Sequence, residues 1–422
     1  MNRTKQNRNS ANKTYLMHNC QKNYNNLKIS IARNIDQIEA IRPIWEKMQQ
    51  NESSPKLNAD IDRYISTITS AEQKIEPYVI LLHNNSQPQA MLIGRIENIQ
   101  IPCRLGYKTF FNPSVRGIAV VYGGIIGQLN PDVSALLIQT LINSLKNGDA
   151  DTVFFNGFKT DSPIFSVATN LPSFLCRGHL PKSQLHWQTL IPKTDDEFGK
   201  LISKKQQRDL ARCSRNLEKA GGGPVKVVCY HQKEELEHFI NAASQIYALT
   251  YHRGLKVGFV NNPLTRSLLE QAAADKWLRA YLLYAGSEQV AFEVGCVYGN
   301  VYFAEHAGFN PRWKAYSPGI LLQLKIFEDL NNEGGVDIYD YGFGDAAYKQ
   351  RYGNVSWPES SIYIFAPRLY PILLNLALTS TSAASGALNY LVTKAGVYNW
   401  VKRHWRALLR KRAAPANNQE VN

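Results

Sequence analysis

The stretch that decides the fold runs from Val290 to Arg351; it reads VYGNVYFAEHAGF at 297–309, AYSPGILL at 315–322 and DIYDYGFGDAAYK at 337–349. Strand-like segments flank Gly299-Asn300, a dipeptide typical of a two-residue hairpin turn. Apolar residues then recur at helical spacing after Ser317, and a short strand pattern follows. The order strand, strand, helix, strand predicts a sheet with a helix that begins beside the strand ends.

The start of this helix, Ser317-Pro318-Gly319, is suited to an anion. The first backbone N–H groups of a helix have no partner within it, and the helix dipole favours negative charge there. Pro318 lacks the N–H that the first helical position does not need, and Gly319 permits close approach of a ligand. This segment therefore predicts a site for a phosphate or pyrophosphate.

The hairpin turn also sets a register between the two strands. If Tyr298 pairs with Val301, counting outward places Glu293 directly opposite His306. A carboxylate that orients an imidazole is a common general base, because histidine titrates close to neutral pH. The sequence predicts a Glu293–His306 pair, with an ordinary cross-strand polar pair as the alternative.

Glu305 is a second candidate base. It falls on the other face of the hairpin, among the apolar residues Phe292, Val294, Cys296 and Phe303. The alternative is that Glu305 lies near the strand end and reaches water.

A helix predicted from Leu201 to Ala220 carries a basic stripe at a spacing of three or four residues, formed by Lys204, Arg208, Arg212, Arg215 and Lys219. Such a stripe can bind the phosphates of a cofactor, tRNA or an anionic lipid. It can equally be a solvated helix face.

These segments together resemble the GNAT superfamily of acyltransferases between Leu201 and Tyr352. More narrowly, they resemble the bacterial cellulose-biosynthesis acetyltransferases, relatives of the Fem aminoacyltransferases. The resemblance rests on five motifs, at 204–210, 302–309, 316–319, 340–342 and 348–349. The usual GNAT phosphate loop of repeated basic and glycine residues is missing.

The resemblance implies acyl-coenzyme A, such as acetyl-CoA, as the donor, and no metal. Its pyrophosphate would bind at Ser317, Pro318 and Gly319, and its pantetheine along the strand from Phe303 to Gly308, including Ala307. Lys204 and Arg208 would contact its phosphates. The acceptor would be an amine or a hydroxyl, for example on a nucleotide sugar or a surface polysaccharide precursor.

The resemblance also implies direct attack on the thioester, without a covalent enzyme intermediate. His306, assisted by Glu293 or replaced by Glu305, would take the proton of the acceptor. Tyr348 would protonate the leaving thiolate; the alternative is that its side chain only packs against its neighbours. Asp340 and Asp345 would bind substrate, or Asp345 would only cap the next helical turn.

The 422 residues exceed what one core usually serves, and the net charge of +14 suggests an anionic partner. The predicted fold class is α/β (α+β), with tandem GNAT-like folds in which mixed central sheets are flanked by helices. The predicted divisions are a disordered basic arm at 1–26, an N-terminal GNAT-like domain at 27–190, a catalytic GNAT-like domain at 191–366 and a basic amphipathic tail at 367–422. The six scattered cysteines contain no C-x-x-C pair, so the expected state is reduced thiols.

No signal peptide or membrane span is predicted, so the expected location is cytoplasmic. The tail from Asn389 to Arg412 combines apolar residues with many Lys and Arg, a composition suited to an anionic membrane surface. The competing interpretation is a helix that docks on its own protein.

Two other functions remain open at this stage. A Fem-like transferase that uses aminoacyl-tRNA would suit the basic stripe, although no coiled-coil insertion for tRNA is present; other nucleic acids are not expected. A non-enzymatic assembly factor at the membrane surface would suit the missing phosphate loop and the basic tail.

Overall fold

A computed structural model describes residues 27–395, except Ser86, Tyr107, 251–257 and the side chain of Asp195. The predicted arm at 1–26 and the end of the tail lie outside the described residues. The chain divides into two compact units. Unit 1 comprises residues 1–183 and 358–388, and unit 2 comprises residues 184–357 and 389–422.

Unit 1 is an α/β unit. Its strands are β1 (Leu27–Ala32), β2 (Glu76–Asn84), β3 (Gln87–Gln100), β4 (Cys103–Leu105), β5 (Lys108–Phe111), β6 (Ser114–Gly127) and β7 (Thr152–Lys159). Its helices are α1 (Ile35–Ala40), α2 (Arg42–Gln50), α3 (Ile61–Ser70), α4 (Pro131–Lys146) and α5 (Pro163–Asn170).

Unit 2 follows with β8 (Ser183–Leu190), and its other strands are β9 (Val225–Tyr230), β10 (Leu278–Ala285), β11 (Glu288–Tyr298), β12 (Val301–Phe309) and β13 (Ile338–Asp340). Its helices are α6 (Asp195–Leu201), α7 (Lys204–Gly221), α8 (Leu236–Ala248), α9 (Pro263–Ala274), α10 (Pro318–Glu333) and α11 (Ala347–Tyr352). The chain then forms β14 (Val355–Phe365) and a long helix, α12 (Leu369–Lys394).

The strands of the two units follow one plan. In unit 1 the order is β1-β2-β3-β6-β7-β14, and in unit 2 it is β9-β10-β11-β12-β13-β8. In each, four antiparallel strands are followed by one parallel pair, β6/β7 or β12/β13, and then by an antiparallel strand. A helix connects the strands of each parallel pair, α4 in unit 1 and α10 in unit 2, as a parallel connection requires. The predicted mixed α/β class is confirmed.

The last strand of each unit's strand order comes from a part of the sequence that adjoins the other unit. β14 follows unit 2 in sequence but pairs with β7, and β8 follows unit 1 but pairs with β13. Neither strand was predicted from local pattern. Each completes a sheet whose other strands come from a distant part of the chain.

Each unit has its own apolar core. In unit 1, α4 packs on one sheet face around Leu137, Leu141 and Phe155. In unit 2, α10 packs on the sheet around Tyr302, Ile326 and Phe327. The position of α10 fixes where its first turn lies relative to β12 and β13.

Two helical stretches of the chain are interrupted. α1 ends at Ala40 and α2 begins at Arg42, because Pro43 cannot continue the earlier turn. The helix predicted from Leu201 to Ala220 is divided between α6, which ends at Leu201, and α7, whose N-cap Ser203 forms a complete capping box with Gln206. No helix in the described part of the chain is long and apolar enough to cross a membrane.

Candidate functional site

The β11–β12 hairpin begins in the predicted register and then departs from it. Tyr298 pairs with Val301 as expected, but a β-bulge makes Glu305 an extra residue in β12. His306 therefore lies opposite Val294, and Glu293 lies opposite Ala307. The predicted Glu293–His306 pair is wrong, because one inserted residue moves a side chain to the other face.

Glu293 instead belongs to a buried polar cluster on the α10 side of the sheet. Its Oε1 accepts hydrogen bonds from the hydroxyls of Tyr339 at 2.6 Å and Tyr302 at 3.2 Å. Burial raises the pKa of Glu293 to about 7, although both hydrogen bonds act in the opposite direction. Glu293 is therefore a core carboxyl rather than a group that faces substrate.

Replacing Glu293 by glutamine should make the protein more stable at neutral pH. The neutral carboxyl is favoured in the fold, so its contribution to the free energy of unfolding is complete below pH 4.5 and is lost as pH rises to about 7. A shift of this size corresponds to about 3 kcal/mol. Urea unfolding of the parent and of Glu293→Gln between pH 4 and 8 measures the free energy of unfolding of each. As pH rises above 4.5, the free energy of unfolding of the parent should fall increasingly below that of Glu293→Gln.

The matched control is Glu72→Gln, which removes an exposed carboxyl from unit 1. It should follow the parent at every pH. If Glu293→Gln also follows the parent, the Glu293 carboxyl is ionised in the fold and the assignment is incorrect.

Glu305 and His306 lie on the face opposite Glu293. The Cys296 thiol donates to Glu305 Oε2 at 3.6 Å, and the His306 ring lies 5.9 Å from the Phe259 ring. Both side chains are half-buried. Glu305 therefore lies on the face of Cys296 as predicted, but His306 lies on that face too, and Ala307 lies opposite Glu293.

β12 and β13 separate at the middle of β12. They are paired only from Val301 to Phe303, and β13 ends at Asp340, whereas β12 continues to Phe309. The predicted cofactor strand, from Phe303 to Gly308 and including Ala307, begins at this separation. An opening between two parallel strands can admit an extended chain that hydrogen-bonds to the backbone.

The first turn of α10 lies beside the far end of β12. A Cβ placed on Gly319 would be 3.5 Å from Cδ1 of Phe309, an ordinary contact distance. Ser317 is left-handed, with φ of 53°, and its side chain makes no capping hydrogen bond to the helix. Non-glycine residues in this conformation are uncommon, and such strain often marks a functional position.

The corresponding helix of unit 1 differs in this respect. Its N-cap, Asn130, accepts a hydrogen bond from the backbone N–H of Val133 at 2.8 Å. α4 is therefore capped by its own chain, and α10 is not capped by a side chain. This contrast favours unit 2 as the unit that binds an anion.

The segment after β13 is held in place from within unit 2. Asp340 accepts hydrogen bonds from His186 Nε2, from Gln188 Nε2 and from the backbone N–H of Gly342 at 2.6–3.0 Å. His186 is stacked on Trp357. With these partners and little exposure, Asp340 anchors the end of β13, which does not favour the predicted role in substrate binding.

Lys349 supports the same segment. Its Nζ donates to the carbonyls of Tyr341, Gly342 and Phe343 at 2.7–3.3 Å, and burial lowers its pKa. Asp345 accepts from Trp187 Nε1 and Gln350 Nε2 instead of capping the next helix.

Tyr348 lies in the first turn of α11, at the protein surface. Tyr348 is 44% exposed, and the centres of its ring and the Tyr341 ring are 6.0 Å apart. A partly exposed tyrosine near the end of β13 is compatible with the predicted role as an acid, which stays a prediction.

The basic stripe on α7 is exposed as predicted. Arg212 pairs with Asp209 at 3.2 Å, whereas Lys204, Arg208, Arg215 and Lys219 have no carboxylate partner among the residues that the structure describes. α7 packs against the 3-10 turn Pro311–Tyr316, which leads directly into α10. Its cations are therefore on an element that neighbours the helix start.

A cavity of about 560 Å³ lies elsewhere in unit 2. It is lined by residues near the C-terminal end of α10, among them Asp329 and Glu333, together with Arg279 and Lys276. α10 has 16 residues, so this cavity is roughly 20 Å from Gly319. Arg279 is already paired with Glu333 there, so the cavity is not the candidate site.

Comparisons with known proteins agree with this location. Residues 204–350, roughly a third of the chain, match the family model described as an acetyltransferase (GNAT) domain. The matched residues all lie within unit 2. No curated protein matches the sequence.

Solved structures show the fold. The structure of FemX is 10% identical, and its alignment covers 79% of this chain and 98% of that chain with a TM-score of 0.53. A tandem GNAT protein from the clavulanic acid biosynthesis pathway is 10% identical over 81% of this chain and 99% of that chain, with a TM-score of 0.46. The likeness to FemX supports the fold and not a substrate.

Proposed function

We propose that unit 2 transfers an acyl group from acyl-coenzyme A to an amine or hydroxyl acceptor. The observation that carries this proposal is the separation of β12 from β13 beside the first turn of α10, which has no side-chain cap. A pyrophosphate bound at Gly319 and a pantetheine chain laid along 304–308 would fit this arrangement. The GNAT-domain match supports acyl transfer in general.

Glu305 is the base in this proposal. Its carboxylate, at the bulge next to the strand separation, takes the proton of the attacking amine or hydroxyl. The new bond to the acyl carbon forms as the bond from that carbon to sulfur breaks. Tyr348 donates a proton to the departing thiolate, and His306 assists by orienting the acceptor.

The narrower relationship, to cellulose-biosynthesis acetyltransferases with a nucleotide-sugar or polysaccharide acceptor, stays a prediction. Among other donors, aminoacyl-tRNA is the second candidate. The exposed cations of α7 that have no carboxylate partner favour it, because phosphate backbones bind through such residues.

Calorimetric titration separates the two donors. Acetyl-CoA and a longer acyl-CoA should bind with micromolar affinity, and acetylated pantetheine without the nucleotide should bind at least about tenfold more weakly, because it lacks the pyrophosphate. Charged tRNA should give no saturable binding at physiological salt. Binding of charged tRNA without binding of any acyl-CoA would overturn the proposal in favour of the alternative.

A further inference from the structure

One surface of unit 1 exposes many apolar side chains. It consists of the β4–β5 hairpin at 101–113, the loop at 171–183, and 366–388 with the start of α12; we call it the apolar face. Of the 12 large apolar side chains of unit 1 that are exposed in the described residues, 11 lie on these segments, and the remaining one is Ile29. Such clustering is unusual for a surface that faces only water.

The three segments are joined. Asn375, buried in α12, donates hydrogen bonds to the carbonyls of Leu175 at 3.0 Å and Arg177 at 2.8 Å. Ser385, buried about three turns further along the same helix, donates to the carbonyl of Arg104 at 2.6 Å and accepts from the backbone N–H of Gly106 at 3.1 Å. The loop and the hairpin are thus fixed to the same helix.

The outward side of α12 is apolar along its first turns. Leu369, Leu373 and Leu376 recur at helical spacing and are exposed by 76%, 53% and 42%. Pro371, Leu374 and other residues of the same helix are buried. Because both sides of α12 are apolar, its outward side is suited to a second apolar surface.

All the charged Lys, Arg, Asp or Glu residues of these segments are cations. Residues 101–113, 171–183 and 366–388 contain five Lys and Arg residues and no Asp or Glu. Arg368 pairs with Asp151, whereas Arg104, Lys108, Arg177 and Lys182 pair with no carboxylate in the part of the chain that the structure describes.

Two of these cations lie over exposed aromatic rings. Lys108 Nζ is 5.1 Å from the centre of the Phe110 ring, and Arg177 Cζ is 5.3 Å from that of Phe174. Phe110 and Phe174 are exposed by 61% and 64%. A cation beside an exposed ring matches the headgroup and acyl layers of a bilayer surface.

Other occupants do not fit this charge. In a symmetric dimer the same patch of both copies would meet, so cations that have no carboxylate partner would face cations of the same kind. The C-terminal segment of this chain carries Arg410-Lys411-Arg412 and would add further positive charge. The complementary surface is apolar and anionic.

We propose that the apolar face binds the surface of an anionic lipid bilayer, with Phe110, Phe111 and the exposed leucines of α12 entering the interface. This goes beyond the proposed acyl transfer, which concerns unit 2. The expected acceptor or product would then be one that can be reached at a membrane surface.

Sedimentation with vesicles tests this proposal. The full chain should bind vesicles of phosphatidylglycerol and phosphatidylcholine, bind pure phosphatidylcholine at least about tenfold more weakly, and lose binding at high salt. The triple substitution Phe110→Ser, Phe111→Ser and Leu373→Ser should lower the partition coefficient at least about tenfold, because it removes three large apolar side chains from the interface.

The control is Ile29→Ser, on the strand at the opposite edge of the unit 1 sheet, which should bind as the parent does. A second comparison replaces Arg410, Lys411 and Arg412 by serine in the full chain. Parental binding by the triple variant, or loss of binding only in the Arg410–Arg412 variant, would overturn the proposal. A change of oligomeric state in the triple variant, measured by light scattering, would instead identify a second copy as the occupant. Acyl-CoA binding, measured separately, should stay at the parental value in every variant.

Discussion

Gly319→Asp should weaken acyl-CoA binding on the order of 100-fold. The aspartate adds a negative charge at the first turn of α10, where the pyrophosphate is expected, and like charges a few ångströms apart repel by several kcal/mol near a protein surface. Calorimetric titration of the variant with acetyl-CoA measures the effect.

Loss of folding would not explain such a result. The added Cβ meets Phe309 at 3.5 Å, which needs no rearrangement, and an acidic residue in the first turn of a helix is favourable for the helix itself. Gly319→Asn is the matched control, with nearly the same volume and no charge, and should lose less than about tenfold. Equal losses in both variants would mean that bulk alone acts at this position, and parental affinity in both would place the donor site elsewhere.

Glu305→Gln should lower the turnover number about 10²–10⁴-fold, the usual effect of removing a positioned general base. The affinity for acyl-CoA should change little, because the amide keeps the size of the carboxylate and lies at the bulge rather than at the helix start. Release of free coenzyme A thiol with an amine acceptor gives the rate, and calorimetry gives the affinity.

His306→Asn is the comparison for the base. His306 lies next to Glu305 on the same face, and its substitution should reduce turnover less than tenfold if it only orients the acceptor. A large loss in His306→Asn together with near-parental turnover in Glu305→Gln would assign the base to His306.

Much of unit 2 could be predicted from local pattern. Gly299-Asn300 marked the hairpin turn, Ser317-Pro318-Gly319 marked the start of α10, and the spacing of Lys204 and Arg208 marked an exposed stripe. These features depend on residues close together in sequence, so period and turn chemistry are sufficient to find them.

The bulge at Glu305 could not be predicted in this way. Nothing in Ala304-Glu305-His306 distinguishes a regular strand from one with an extra residue, and the outcome decides which face His306 occupies. The bulge adds a single residue, but it removes His306 from the face of Glu293, so the predicted pair does not form. A buried Glu beside Tyr302 and Tyr339 became visible only from the three-dimensional contacts.

The residues that hold the end of β13 and the loop after it, His186 and Lys349, were missed for a different reason. His186 lies on β8, more than 150 residues before its partner Asp340, and Lys349 is a common residue in an ordinary short helix. Gly342 and Gly344, both left-handed, were the available signal that the loop after β13 is tightly folded. A lysine directly after such a loop is a candidate to bind its carbonyls.

Hydrogen–deuterium exchange with and without acetyl-CoA tests the central claim most directly, because it locates the donor on the unaltered chain. The account predicts slower exchange of the amides of 304–309 that do not face β11 and of the first turn of α10 after Pro318, with no change in the capped first turn of α4. Protection confined to unit 1, or to the cavity near Glu333, with unchanged exchange at 304–309 and in the first turn of α10, would contradict it.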